Sequence, residues 1–186
     1  MVTAVVPAAG QSARFGSMKL FAELQGVLLI DRTVGNLFDA GVIRVLVVCT
    51  GLDALSRATT VRDPRVRIVV NGHPERGMFS SIQAGIAEAG DSTVLVLPAD
   101  MPFVRSETIR LVADRSQQAD LVVVPQMNHR RGHPIAIPSH LCRPLVSFSP
   151  ETSLKEALRS LHVSPYLLDV DDPGILRDVD VPADLT

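Results

Sequence analysis

Five short aliphatic runs recur along the first two thirds of the chain: Val2–Val6, Val45–Cys49, Val66–Val70, Val94–Leu97 and Leu121–Val124. Each carries at most one polar residue, so each reads as a strand covered on both faces. Longer amphipathic segments lie between them, at about 31–40, 52–58, 79–89 and 105–116. In the first of these, Val34, Leu37 and Phe38 fall at i, i+3 and i+4 on one helical face, and Gly41 supplies a stop. Strands and helices in this alternation pair into a sheet with right-handed crossovers. The fold class expected is α/β, with a mostly parallel central sheet and helices on both faces.

The pattern loosens after about residue 125. GHPIAIP at 132–138 reads as a strand, two helix candidates follow, and Val163–Val170 reads as another strand. Ser153-Leu-Lys-Glu156 fits a capping box opening a helix that runs to about Leu161. A length of 186 residues fits a single domain over 1–186, split into a nucleotide-type half (about 1–125) and a less regular half (about 126–186) without a linker.

Bulk properties exclude several function classes. A net charge of −2 argues against a broad nucleic-acid surface or an anionic-membrane face, so any anion site must be local. The N-terminal apolar run ends after six residues, unlike a signal peptide, and no stretch approaches the about 20 apolar residues that span a bilayer. Cys49 and Cys142 lie far apart with no CxxC or Cys/His cluster, which suits buried thiols in a reducing, cytoplasmic setting.

The chemistry concentrates in five stretches. PAAGQSARFGSMK at 7–19 follows the first strand and holds Arg14 and Lys19 but no acid. In an open parallel sheet that is where ligands bind, and Gly10 and Gly16 allow backbone N–H groups to wrap a phosphate. The spacing is neither Walker A nor GxGxxG, and a plain βα turn with solvated cations is the alternative. LVLPADMPFV at 95–104 delivers Asp100 to a strand's carboxyl end, where a carboxylate can hold Mg²⁺ together with substrate phosphates or simply cap the next helix, a role better suited to Ser106. In DVDVPADL at 178–185, Asp178 and Asp180 share a face if extended and one can join Asp100 around a metal; a solvated acidic tail is the plainer reading. In NGHPERGMFSSIQAGI at 71–86, Gly77, Ser80 and Ser81 begin a helix and suit a ribose, base edge or phosphate, although capping explains the serines equally well. RRGHP at 130–134 places Arg130, Arg131 and His133 at a strand entrance, where they can meet an anionic second substrate; a lone histidine is more often structural.

Together these stretches resemble the nucleotidyltransferases that activate small phosphorylated molecules with an NTP. The family's opening signature, Leu-Ala-Ala-Gly or Leu-Ala-Gly-Gly followed by x-Ser-x-Arg-Met-Gly and a lysine three residues on, stands here with Pro7 for Leu and Phe15 for Met. GMFSSI, PADMPF, GHP and DVDVPADL continue the resemblance over nearly the whole chain. Within the group the chain is most similar to the molybdenum cofactor cytidylyltransferases and other MobA-like NTP transferases. The resemblance implies a Rossmann-like nucleotidyltransferase fold and Mg²⁺-dependent transfer of CMP from CTP to molybdopterin, with release of pyrophosphate. Ala9, where guanylyltransferases usually carry a second glycine, points to CTP, since a methyl at that place leaves less room for a purine.

On that reading Arg14 and Lys19 contact the triphosphate and act in catalysis with Asp100. Asp100 and Asp180, with Asp178 as the alternate, hold Mg²⁺. Ala8, Ala9, Gly10, Ser12, Gly77, Ser80, Ser81, Pro98 and Ala99 complete the nucleotide site, and Arg131, Gly132 and His133 face the acceptor from the second half. A molybdoenzyme receives the product, and neither nucleic acid nor membrane takes part. Two rivals remain: the same fold acting on a sugar phosphate or phosphoalcohol, and a cofactor-binding chaperone with little turnover.

Overall fold

The computed structural model describes residues 1–8, 22–51, 55 and 58–179. Its strands are β1 (Val2–Pro7), β2 (Glu23–Leu24), β3 (Val27–Leu28), β4 (Arg44–Cys49), β5 (Val66–Val70), β6 (Thr93–Val96), β7 (Val123–Met127), β8 (Arg130–Arg131), β9 (Ile135–Ile137) and β10 (Tyr166–Asp169). The α-helices are α1 (Leu29–Asp39), α2 (Met78–Ala89), α3 (Ser106–Ala119), α4 (Ser139–Val146) and α5 (Leu154–Ser160). The main sheet runs β10-β7-β9-β6-β1-β4-β5, with β8 hairpinned onto β7. β2 and β3 form a separate two-stranded ribbon.

Period-two geometry sorts the central strands into two apolar layers. Ala4, Val6, Val45, Val47, Leu95 and Leu97 pack with Ile30, Val34 and Leu37 of α1 and Ile109 and Val112 of α3. Val5, Leu46, Val48, Val94 and Val96 point the other way, against Ile82 and Ile86 of α2, Leu141 and Leu145 of α4 and Leu158 of α5. These strands are covered on both faces, which is why they read as continuous aliphatic runs. β1, β4, β5 and β6 are mutually parallel, in the register Ala4↔Val45, Val45↔Val66 and Ala4↔Leu95.

The sheet is mostly parallel, as expected, with β9 entering between β6 and β7 antiparallel to both. The structure corrects the expected pattern at three places. β5 is an edge strand whose residues are only half-buried or exposed, because no strand covers its outer side. The strand expected at Leu121–Val124 starts and ends later, at Val123–Met127. Ser106 is the first residue of α3 rather than its cap, and no side chain caps that helix from Arg105. The capping box is present as expected, with the Ser153 hydroxyl accepting from the Glu156 N–H at 3.2 Å and Glu156 accepting from the Ser153 N–H at 3.0 Å. The helix expected over about 52–58 falls largely outside the described residues. Cys49 and Cys142 are buried free thiols, and burial pushes the Cys142 thiol up to about 11. Among the described residues no helix is long and apolar enough to cross a membrane.

One carboxylate fixes the first helix against the connection to β5. Asp31, in the first turn of α1, accepts from the N–H and hydroxyl of Thr59 at 3.0 and 2.8 Å. Its other oxygen accepts from the N–H and hydroxyl of Thr60 at 2.9 and 2.7 Å. Burial raises the proton affinity of this carboxyl, but the four hydrogen bonds outweigh it and the net shift is below the ordinary 3.8. A depressed native value stabilises the fold above the unfolded-state pKa, and that contribution fades as pH falls through the native one. Asp31→Ala is expected to cost about 1–3 kcal/mol in urea unfolding at neutral pH. The gap between variant and wild type should shrink as the titration is taken down to about pH 2. A gap unchanged by acid would show that the charge contributes nothing.

Candidate active site

The carboxyl ends of β1, β4, β5 and β6 lie side by side, and the residues that leave them build one edge of the molecule. β1 is prolonged through Ala8, whose N–H donates to the Val48 carbonyl at 2.7 Å. The residues that follow, with the expected ligands Ala9, Gly10, Ser12, Arg14 and Lys19, lie outside the described residues, as does Asp180.

Leu97–Asp100 is fastened from two sides. The Leu97 and Ala99 N–H groups donate to the Val5 and Pro7 carbonyls at 3.1 and 3.2 Å, carrying the β1–β6 ladder past the end of β6. From α1, the Thr33 hydroxyl donates to the Ala99 carbonyl at 3.0 Å, and the Asn36 amide reaches the Pro102 and Val104 carbonyls at 2.9 and 3.0 Å. Pro98 and Ala99, expected to touch nucleotide, are buried. They hold the chain from which the half-exposed Asp100 emerges.

The chain's last described segment crosses this same loop. The Val179 N–H donates to the Asp100 carbonyl at 2.9 Å, which brings Asp178 and the start of the 178–185 stretch alongside Asp100. Three further contacts fix the crossing, and a bond from Gly174 to Asp172 shapes the crossing segment itself. Asp172 is almost wholly buried and accepts from the N–H of Gly174 and of Arg105, each at 2.9 Å. Arg105 also donates to the Asp171 carbonyl at 3.0 Å, and the Arg177 guanidinium stacks 3.8 Å over the Phe103 ring. A Cβ on Gly174 would overlap the Phe103 carbonyl, so only glycine permits this approach.

The acceptor-side residues reach the same place from the other half. Gly132 donates to Pro125 at 2.8 Å, and His133 donates its N–H to Ile175 at 3.0 Å, within the short 3₁₀ turn Pro173–Leu176. A Cβ on Gly132 would overlap the Ile175 carbonyl, which explains a glycine between Arg131 and His133. The His133 ring is desolvated and its pKa is pushed down, while the nearby charge of Asp100 pulls it up. Desolvation wins, so the imidazole is neutral at pH 7. Arg131 is exposed at the rim.

The 71–86 stretch forms the far wall. Gly77 precedes α2 with φ +88°, and Ser80 and Ser81 are buried in the helix's first turn. Their hydroxyls accept from the Asn71 amide at 2.8 and 2.9 Å, and the Asn71 carbonyl oxygen accepts from the His73 N–H at 2.9 Å. Asn71 was missed by sequence reasoning. The available signal was a polar residue directly after the β5 run. Asp172 was also missed, in a run of acids that reads as solvated.

Asp100 and Asp178 offer hard oxygen ligands on adjoining segments, a donor set that fits a divalent cation sharing phosphate oxygens. Among the described residues no group of three or more His, Cys, Asp or Glu side chains gathers as a complete metal site.

A sequence model described as the MobA-like NTP transferase domain matches residues 4–165. The chain belongs to that family. Among curated relatives, the molybdenum cofactor cytidylyltransferase of Escherichia coli is 21% identical over 98% of this chain and 93% of its own length. The 2-C-methyl-D-erythritol 4-phosphate cytidylyltransferase of Rhodococcus jostii is 30% identical over 67% of this chain, which spans 55% of that protein. A probable molybdenum cofactor guanylyltransferase of Methanosarcina acetivorans is 27% identical over 63% of the chain and 54% of its own length. Among solved structures, a nucleotidyl transferase from Methanothermobacter thermautotroptrophicus superposes with a TM-score of 0.80 at 25% identity, covering 99% of this chain and 94% of that one. A Mycobacterium tuberculosis H37Rv protein solved as a complex with manganese shares the fold, with a TM-score of 0.78 at 22% identity over 98% and 94% of the two chains. The chain is therefore a nucleotidyltransferase with the family's mostly parallel α/β fold.

Asn71 gives the site's scaffold a direct test. Asn71→Ala takes the amide donor from two buried serine hydroxyls, of which Ser80 still donates to the Gly77 and His73 carbonyls, and should lower stability by about 1–3 kcal/mol, read by urea unfolding. Asn71→Asp removes the amide donor while keeping the volume and should cost at least as much. A loss below about 0.5 kcal/mol in both variants would mean that these hydrogen bonds do not hold the wall.

Proposed function

We propose that this chain is a Mg²⁺-dependent cytidylyltransferase that transfers CMP from CTP to a molybdopterin-type acceptor and releases pyrophosphate. One observation carries the reading: Asp100, the 178–179 segment and His133 converge on one edge from three distant parts of the chain. The near-full-length similarity to the Escherichia coli molybdenum cofactor cytidylyltransferase supports the acceptor. The neighbour solved with manganese supports a divalent cation.

In this reading Arg14 and Lys19 neutralise the triphosphate, and Ala9 favours cytosine over a purine. Ala8, Gly10, Ser12 and the Gly77–Ser81 turn seat base and ribose, with Pro98 and Ala99 supporting them from beneath. Asp100 would hold the cation with Asp180, or with Asp178, which the Val179–Asp100 hydrogen bond brings close. When bound, the cation supplies charge neutralisation where two anions must meet. The acceptor phosphate is already ionised and attacks the α-phosphorus in line as pyrophosphate departs, so the protein needs no side-chain base. Positioning and electrostatics then supply most of the rate. The neutral His133 and Arg131 face the acceptor, and keeping His133 uncharged leaves the carboxylates without a competing cation. The enzyme acts in the cytoplasm and passes its product to a molybdoenzyme.

The second reading keeps the chemistry and changes the acceptor to a polyol phosphate, favoured by the 30% identity to the Rhodococcus jostii enzyme. One assay decides: incubation with Mg²⁺, one acceptor and each NTP in turn, following pyrophosphate. Turnover with CTP and molybdopterin is expected, at least about tenfold above GTP. GTP in preference to CTP overturns the base assignment. Turnover only with 2-C-methyl-D-erythritol 4-phosphate establishes the second reading, and none with any pair leaves the binding chaperone. Asp100→Asn should keep its melting temperature and lose about 100-fold or more in kcat. Near-normal activity in that variant removes Asp100 from the metal site.

A further inference from the structure

Among the described residues a small apolar cluster lies apart from the two layers of the sheet. Leu24 of β2, Leu29 at the start of α1 and Val179 are buried together, with Ala22 and Phe103 packed against them. Its members come from three distant parts of the chain, and each part adjoins a charged stretch of the proposed site. Ala22 stands three residues after Lys19, Phe103 three after Asp100, and Val179 lies between Asp178 and Asp180. Leu29, Thr33 and Asn36 fall at i, i+4 and i+7, on one face of α1. That face meets the cluster with its first residue and the 97–105 loop with the next two, through the Thr33 and Asn36 hydrogen bonds. The Leu29 N–H donates to the Ala22 carbonyl at 3.0 Å, so the β2–β3 ribbon is folded back onto the same helix end.

Val179 is wholly buried, although the two residues before it are exposed. Arg177 is extended and its guanidinium lies over the Phe103 ring, while Val179, two residues on, enters the cluster against which Phe103 packs. Residues two apart in an extended chain share a side, so Asp178 between them is turned the other way.

We propose that Val179 is a positioning residue: its side chain, plugged among Leu24, Leu29 and Phe103, sets the carboxylate-bearing segment 178–180 against the Asp100 loop. The proposal rests on the reading of Asp100 and the 178–180 acids as the cation's ligands, and it adds what aims them. Val179 acts only through its neighbours. Without the plug, the Val179–Asp100 backbone hydrogen bond would hold this end of the segment alone, and a lone hydrogen bond that water can replace fixes a segment poorly. Because the segments meet in one cluster, loosening one side loosens the other.

Val179→Ala and Leu24→Ala each thin the cluster without touching a charge. Val94→Ala removes the same side-chain atoms as the first, from the buried layer near the amino end of β6. Two readouts are taken on the full chain, well below each variant's melting temperature. In amide hydrogen exchange, Val179→Ala should speed exchange about tenfold or more in both 22–29 and 97–105, and Leu24→Ala should do so in 174–179. Unchanged exchange in 97–105 in Val179→Ala overturns the proposal. Mn²⁺ is then titrated with a non-hydrolysable CTP analogue present, and free ion is followed by its EPR signal. Val179→Ala and Leu24→Ala should each weaken Mn²⁺ binding about tenfold or more, and the double variant little further, whereas Val94→Ala stays within about twofold. Unaltered affinity in Val179→Ala, or equal weakening in Val94→Ala, overturns the positioning role. The two readings fail separately. If Asp100→Asn binds Mn²⁺ as wild type does, the cation reading falls, and exchange alone decides whether Val179 sets the segment against the Asp100 loop.

Discussion

The arrangement at the sheet edge depends on one contact, the docking of residues 171–179 across the loop 97–105. The Val179–Asp100 hydrogen bond, the buried Asp172 carboxylate and the stack of Arg177 on Phe103 make that crossing specific. The loop beneath is held from the other side by Thr33 and Asn36 of α1, and by the backbone of β1. Asp100 therefore stands on a segment braced by the first helix, the first strand and the end of the chain. Gly132 and Gly174, at which a Cβ would overlap a carbonyl of the facing backbone, both meet this crossing, where backbones approach too closely for a side chain.

This architecture has an electrostatic consequence. Bringing two phosphorylated substrates together requires positive charge near the triphosphate and carboxylates only where a cation can bridge. On the proposed reading the sequence separates these functions, with the basic residues Arg14 and Lys19 on one side and the acids Asp100, Asp178 and Asp180 on the other. His133 lies near Asp100, and desolvation holds its pKa below the ordinary value despite that charge. A charged imidazole at that position would compete with the proposed cation for the same carboxylate.

Much of the fold is legible in the sequence because burial on both faces writes β1, β4 and β6 as unbroken aliphatic runs. The helices declare themselves by spacing, and the Ser153–Glu156 capping box by a local motif. What escapes is set by partners far away in the chain. β9 is only three residues long, and nothing in IAI reveals that it lies antiparallel between two strands of the other direction. β5 reads like its neighbours, although its position at the edge leaves it half-exposed. Asp172 is followed by ordinary turn residues, and its burial depends on an N–H at Arg105, 67 positions earlier. Asn71 looks like a loop residue until α2 brings Ser80 and Ser81 onto its amide. The motifs PADM, GHP and DVDV could each be singled out alone, but their convergence depends on topology and on the Val179–Asp100 contact.

The most direct test of the central claim is a crystal structure of the full chain with Mn²⁺ and a non-hydrolysable CTP analogue, with the metal located by its anomalous signal. The account predicts a single strong peak ligated by the Asp100 carboxylate and by an aspartate of the 178–180 segment, with phosphate oxygens completing the shell. A metal bound to the nucleotide away from Asp100, with the 178–180 carboxylates turned to solvent, would contradict it.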